Sequence, residues 1–422
     1  MNSSASLVNL APILNIALMG LIVALGPISW VWLKTRQALT LAGFEDEQLL
    51  KSRKRLLLLS QITLFLTFDL LIFGAFTRLT DSGLGCPDWP GCYGHGSPSG
   101  ASAMIEGAQA LMPTGPVTHI KAWIEMIHRY LATGVGVLIL TISAFTVSQK
   151  YPKTLKLESL VILFWVSVQG AFGALTVTMR LFPAVVTMHL MGAIILLMLL
   201  TRFVMTQRIW LSATGLTKSA LVAPTESADQ STGKDHQIHL EKVAQALSQV
   251  GGVSSARKIQ LLLMGGLTLV LVQILLGGWV STNYAVTACS TFPMCQSSWW
   301  PLMNFSQGFE LWRPLGLTSG GANLNFEALT AIHYTHRLTA YVVFVFMCML
   351  GYALRKEAQF NTLGHLIWIL IGLQVLTGVS NVVFQWPLFA AVLHTGGAAA
   401  LVIVLTLGLM MNRSNKPTKG GV

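Results

Sequence analysis

Four histidines stand in two matched pairs. His128 and His189 recur further along the chain as His336 and His394. Gln169, Gly173 and His189 repeat at identical spacing as Gln374, Gly378 and His394, at an offset of 205. All four histidines lie in apolar runs or at their ends. An ionisable side chain at membrane depth is costly and is normally functional. A lone histidine there is more often a hydrogen-bonded packing residue, but four in a duplicated pattern read as ligands. Two imidazoles from different helices of one bundle are the axial set of a six-coordinate haem. A structural zinc site needs four ligands close together, with thiolate or carboxylate help. Each half of this chain offers two histidines.

The neighbours of the ligands carry chemistry of their own. Glu125 lies three residues before His128, so both project from one helix face. The matched residue is His333, three before His336. A carboxylate beside a ligand takes or gives protons; the blander reading is a solvated Glu at a span end. Arg129 and Arg337 directly follow the ligands. They either pair with outward-pointing haem propionates or snorkel to the interface, and Arg78 in FTRLTDSG carries the same two readings. Gln169 and Gln374 bond across helices or approach a ring, and Gly173 and Gly378 permit close helix approach. His95, His119 and His365 have no matched partner and read as structural or solvated.

Four of the five cysteines form two short pairs, Cys86 and Cys92 in CPDWPGC and Cys289 and Cys295 in CSTFPMC. Gly74 precedes the first pair and Gly277 the second, at an offset of 203. A C-x5-C pair with an intervening proline can close a small loop, whereas redox exchange usually uses C-x2-C. The spacing favours two disulfides, Cys86–Cys92 and Cys289–Cys295, structural or redox-labile. Cys348 lies in an apolar segment and reads as a buried thiol. Trp299, Trp300 and Trp312 read as interfacial anchors.

Elements of membrane length must position these residues. Of the 422 residues, 53% are hydrophobic and 10% charged, against roughly 25% charged in an ordinary globular protein. The mean hydropathy is +0.63. This excludes a soluble enzyme, a disordered chain and a nucleic-acid binder, and leaves a polytopic membrane protein. Nine runs approach the roughly 20 apolar residues of a spanning helix. They fall near 10–33, 56–77, 124–147, 157–178, 184–205, 260–281, 334–354, 363–384 and 388–411. On these bounds His128 and His336 occupy the first turns of their helices. The net charge of +11 follows topology. Lys and Arg collect at 34–55, 148–156, 206–258 and the tail, which nine spans place on one side, the cytoplasm. The Cys-bearing loops 80–123 and 282–333 are then periplasmic, and all four histidines lie toward that side.

The repeats run in the same direction, so they are parallel repeats about an axis along the membrane normal. The expected fold is an all-α polytopic membrane protein of two parallel-repeat four-helix bundles plus one extra N-terminal transmembrane helix. The segments are 1–55 (extra helix and cytoplasmic loop), 56–205 (first half), 206–259 (linker), 260–411 (second half) and 412–422 (tail). In the linker, His236 and His239 read as solvated rather than metal-binding.

GAFTRLTDSGLGCPDWPGCYG (74–94), THIKAWIEMIHRYLA (118–132) and AIHYTHRLTA (331–340) resemble the haem A synthase family. The resemblance covers about 56–411. It implies eight spans in two halves, from which the segment before residue 56 departs. It implies an oxidoreductase of the bacterial inner membrane that converts the C8 methyl group of haem O to a formyl group by successive hydroxylations, giving haem A for cytochrome oxidase. His128 and His189 then correspond to the substrate haem site, and His336 and His394 to a bound haem b that transfers electrons. Glu125 matches the family's functional glutamate. The implied neighbours are haem O synthase, cytochrome c oxidase assembly factors and an unidentified electron donor or acceptor. The competing readings are a di-haem cytochrome b-type electron carrier and a haem transporter. An electron carrier has no use for a Glu125/His333 asymmetry, and a transporter should not gather all its histidines on one side.

Overall fold

The computed structural model describes residues 11–37, 47–213 and 253–414. The core of the linker and the end of the tail, with His236 and His239, lie outside the described residues. The long helices are α1 (Ala11–Gln37), α2 (Glu47–Leu79), α4 (His119–Ser148), α5 (Lys153–Thr178), α6 (Pro183–Ala213), α7 (Val253–Thr282), α8 (Phe326–Arg355), α9 (Asn361–Val383) and α10 (Leu388–Ser414). A short α3 (Ser102–Leu111) lies in the loop before α4. Nine helices among the described residues are long and apolar enough to cross a membrane, and the chain is a multi-pass, all-α membrane protein.

The helices that carry His128 and His336 begin earlier than hydropathy predicts. Thr118 caps α4 by accepting from the Lys121 amide at 3.2 Å, and Asn325 caps α8 by accepting from the Ala328 amide at 2.9 Å. A side-chain cap satisfies an otherwise orphaned amide, so the helix starts at the cap and not at the first apolar residue. His128 and His336 therefore sit well inside their helices, on the order of 15 Å from the N-terminus at 1.5 Å per residue. The expectation that they occupy first turns is corrected.

Each repeat closes into a ring. α2 packs on α4 and α6, and α5 on α4 and α6; α7 packs on α8 and α10, and α9 on α8 and α10. α4 and α6 thus face each other diagonally, as do α8 and α10. The rings meet where α10 touches α2 and α6 and where α6 touches α7. One apolar cluster runs through that seam, from Leu71, Ile194 and Leu197 to Leu263, Met347, Val402 and Leu405. Buried hydroxyls along α2 are satisfied within the helix. Ser60 donates to the Leu56 carbonyl at 2.7 Å and Thr63 to that of Leu59 at 2.8 Å. That is the economical solution where no water is at hand.

α1 packs on α4 and α2, and its Ile16 joins the apolar cluster around Cys86 and Cys92. A Cβ built at Gly134 of α4 would lie 2.9 Å from the Val23 Cβ of α1, so the helices approach at small residues. The repeat is also written in the backbone. Non-glycine residues take left-handed φ at matched positions: Asp81 (50°) and Tyr284 (53°), Tyr93 (50°) and Gln296 (52°), Arg180 (50°) and Gln385 (52°), Leu181 (57°) and Trp386 (68°). None of these is the glycine that sequence normally uses to mark such a turn.

Candidate functional site

His128 on α4 and His189 on α6 come from diagonal corners of the first ring, as do His336 on α8 and His394 on α10 in the second. The imidazoles of each pair lie within electrostatic reach of one another. Each ring also rests against one glycine of a neighbouring helix. A Cβ at Gly74 would lie 3.0 Å from His128 Cε1, and one at Gly173 3.5 Å from His189 Cε1. In the second ring the distances are 3.0 Å from Gly277 to His336 Cε1 and 3.3 Å from Gly378 to His394 Cε1. Four ligand candidates on four glycines leave clearance that any larger side chain would fill. Phe73 stacks on His128 at 6.1 Å between centroids.

This donor set suits a haem in each ring. Two imidazoles across a bundle would supply iron-binding nitrogens, the glycines make room for the imidazole edges, and the Nδ1 atoms of His128 and His189 are buried without a protein partner. Among the described residues no three His, Cys, Asp or Glu side chains gather into a metal-binding group.

Glu125 is buried, not solvated. Its Oε2 accepts from the Cys86 amide at 2.7 Å and its Oε1 from Arg129 Nη2 at 2.5 Å. Arg129 Nη1 donates to the carbonyls of Asp88 at 2.9 Å and Gly91 at 2.5 Å. The second ring builds the same clamp with different chemistry. His333 faces the Ala285 carbonyl through Nδ1 at 3.0 Å and receives Arg337 Nε on Nε2 at 3.2 Å. Arg337 also donates to the carbonyls of Thr291 at 2.7 Å and Cys289 at 2.6 Å. Both arginines, read from sequence as propionate contacts or snorkelling cations, have their guanidinium donors turned to the Cys loops. A side chain that bonds several carbonyls of a loop fixes that loop on its helix, a role that adjacency in sequence could not reveal.

Arg78 has a third set of partners. It donates to the Ser281 carbonyl at 2.7 Å and the Tyr284 hydroxyl at 3.0 Å, and pairs with Asp81 at 3.2 Å. At the 203-residue offset, Ser281 is the counterpart of Arg78 and Tyr284 that of Asp81. This cluster therefore straddles the pseudo-two-fold axis and ties the rings together. Burial pushes the Tyr284 hydroxyl above its ordinary pKa. Sequence reasoning also passed over Arg313, fully buried and bonded to Asn283 Oδ1 at 2.6 Å, because it has no counterpart in the first half.

Cys86–Cys92 and Cys289–Cys295 are disulfide-bonded. Cys348, expected as a buried thiol, is half-buried. Thiol alkylation of the denatured, unreduced protein is expected to label Cys348 alone, one adduct by intact mass. Five adducts would mean that neither loop bond forms. His119 lies beside Glu106 at 3.5 Å and His365 bonds its own helix through Asn361, and neither joins a ligand pair.

The family model described as cytochrome oxidase assembly protein (COX15-CtaA) matches residues 57–227 and 237–406. A heme A synthase of Shewanella oneidensis is 35% identical over 82% of this chain and 93% of its own length. Those of Mesorhizobium japonicum and Halalkalibacterium halodurans are 26% and 24% identical, over 80% and 82% of this chain and 85% and 93% of theirs. With both matched segments falling on the duplicated rings, the chain belongs to the cytochrome oxidase assembly family that includes the haem A synthases.

Proposed function

We propose that the protein is a haem A synthase, an oxidoreductase that takes haem O to haem A for cytochrome oxidase. The observation that carries this is an asymmetry inside a duplication. Two rings repeat the same diagonal histidines, glycines and loop clamps, yet one clamp holds a carboxylate, Glu125, where the other holds His333. A pure di-haem electron carrier, the alternative reading, has no need of that difference.

His128 and His189 hold the substrate haem O, and His336 and His394 hold a resident haem b. When bound, haem supplies one-electron redox chemistry tuned by its axial ligands. The protein's own part is to hold the substrate between α4 and α6 and to manage protons. With water as the oxygen source and the unidentified acceptor taking the electrons, converting a methyl to a formyl group through a hydroxymethyl group releases protons as well as electrons. The carboxylate has about four lone-pair sites in all, and the Arg129, Cys86 and Gly85 donors occupy three of them, which leaves Glu125 about one for a proton. A free lone pair on Oε1 or Oε2 accepts a proton on the His128 side of the bundle. Arg129 and Arg337 act by fixing the disulfide loops. Arg78 acts by joining the rings. The basic loops face the cytoplasm, so both haem sites lie toward the periplasmic side of the bacterial inner membrane, where disulfides persist. The partners are a haem O synthase that supplies substrate and the oxidase assembly line that consumes product.

The test is extraction of haems after co-expression with a haem O synthase. Accumulated haem A is the expected result. A protein that stays redox-active but yields only haem O and haem B would be the electron carrier instead.

A further inference from the structure

The two ligand pairs are held differently. In the second ring, Thr377 Oγ1 lies 2.9 Å from His394 Nδ1 and donates its hydrogen to the Leu373 carbonyl at 2.7 Å. A hydroxyl has one hydrogen, so toward His394 it acts as acceptor. His394 Nδ1 then carries the proton, and Nε2 is left with a free lone pair. Gln273 stands at the edge of His336. Its Nε2 is 3.0 Å from Nδ1, 3.3 Å from the ring Nε2 and 3.0 Å from the His336 carbonyl, while its buried Oε1 has no partner. Because the amide nitrogen donates to the His336 carbonyl, Gln273 braces the ring and backbone of His336 and holds its orientation.

The first ring lacks both groups. Gln273 lies four residues before Gly277, and the residue four before Gly74 is Leu70. Thr377 lies one before Gly378, and the residue one before Gly173 is Phe172. Neither can bond an imidazole, which is why the Nδ1 atoms of His128 and His189 are buried without partners.

We propose that Thr377 and Gln273 are positioning residues, Thr377 setting the tautomer and orientation of His394 and Gln273 the orientation of His336, while Leu70 and Phe172 leave His128 and His189 free, so that one ring retains its haem and the other exchanges it. This rests on the assignment of cofactor and substrate rings above. An outer partner on the far nitrogen fixes a ligating imidazole and raises its basicity, and its loss typically lowers metal affinity about 10–100-fold. The N-terminal ring binds a molecule that must arrive as haem O and leave as haem A. A ligand pair without outer partners suits that traffic.

The experiment uses the purified full chain with its resident haem. Transfer of haem to excess apomyoglobin gives an off-rate, and low-spin EPR and the reduction midpoint report on the axial imidazoles. Thr377→Val keeps the shape and removes the acceptor. It is expected to speed haem loss about 10–100-fold, shift the EPR g-values and raise the midpoint, because a less basic imidazole stabilises the ferric state less. Thr377→Ser should restore all three. Gln273→Leu, which installs the first ring's residue on a different helix, should act in the same direction and serves if Thr377→Val fails to fold. Phe172→Thr should slow release of haem from the first ring.

Wild-type off-rate and spectra in both Thr377→Val and Gln273→Leu would overturn the proposal, and so would a Ser variant that restores folding but not the spectrum. His394→Ala is run alongside. If it keeps the resident haem, the cofactor assignment itself is wrong. If it loses the haem while Thr377→Val behaves as wild type, only the positioning role fails.

Discussion

His336→Ala or His394→Ala is expected to strip the resident haem from the purified protein, while His128→Ala and His189→Ala keep it and abolish haem A production. The four residues are alike in their diagonal placement and their glycine neighbours, so the expected difference comes from their outer partners and from what each ring holds. In the second ring the imidazoles carry hydrogen-bonded partners, and deleting a ligand should weaken haem binding by more than the roughly 10–100-fold of losing an outer partner. On the proposed assignment, the loss in the first ring falls on substrate geometry, where a displacement of about 1 Å can cost 10²-fold in rate. Haem content by pyridine haemochrome and haem A yield per folded protein separate the two effects. Equal haem loss from all four variants would show that the rings do not divide into cofactor and substrate sites.

Much of the architecture was legible because a membrane restricts the choices. Backbone groups must be satisfied within each span, so apolar length alone located nine helices, and an internal offset grouped eight of them. The disulfide pairs were legible because their cysteines are close in sequence. Helix starts were not. Thr118 and Asn325 extend α4 and α8 by several residues beyond the apolar window, which moves His128 and His336 deeper than hydropathy suggests.

Partners far apart in sequence were the least legible. Arg129 adjoins His128 in the chain, yet its guanidinium reaches carbonyls some forty residues back, at Asp88 and Gly91. Arg78 meets Ser281 and Tyr284 across the pseudo-two-fold axis. The Leu70/Gln273 and Phe172/Thr377 differences lay open in the repeat. Their meaning needed the distance from Thr377 Oγ1 to His394 Nδ1, because a threonine in an apolar helix ordinarily bonds only its own backbone.

Glu125→Gln is expected to lower haem A output by about 10²–10⁴-fold, the usual worth of a positioned acid or base, with the resident haem untouched. The amide keeps an oxygen for the Cys86 amide hydrogen and nearly the same shape, but it cannot take a proton. Breaking a buried ion pair costs about 3–5 kcal/mol where the surviving charge is stranded. Here Arg129 retains the Asp88 and Gly91 carbonyls, so the loss should be smaller and the loop should stay closed. Alkylation of one thiol in the unreduced variant would verify that. Glu125→Ala differs, because it leaves the buried Cys86 amide without an acceptor at about 1–3 kcal/mol. Its Cys86–Cys92 bond should be reduced faster than in Glu125→Gln, while both lose turnover. Glu125→Asp keeps the charge and gives up one methylene of reach, so partial output is expected. His333 marks the contrast: both of its nitrogens face fixed partners, Ala285 and Arg337, which suits a ring that passes electrons and handles no substrate proton. Wild-type haem A yield from a folded Glu125→Gln protein would remove the proton role. Loss of the resident haem in that variant would make Glu125 a structural residue, because its only route to the second ring is through the fold.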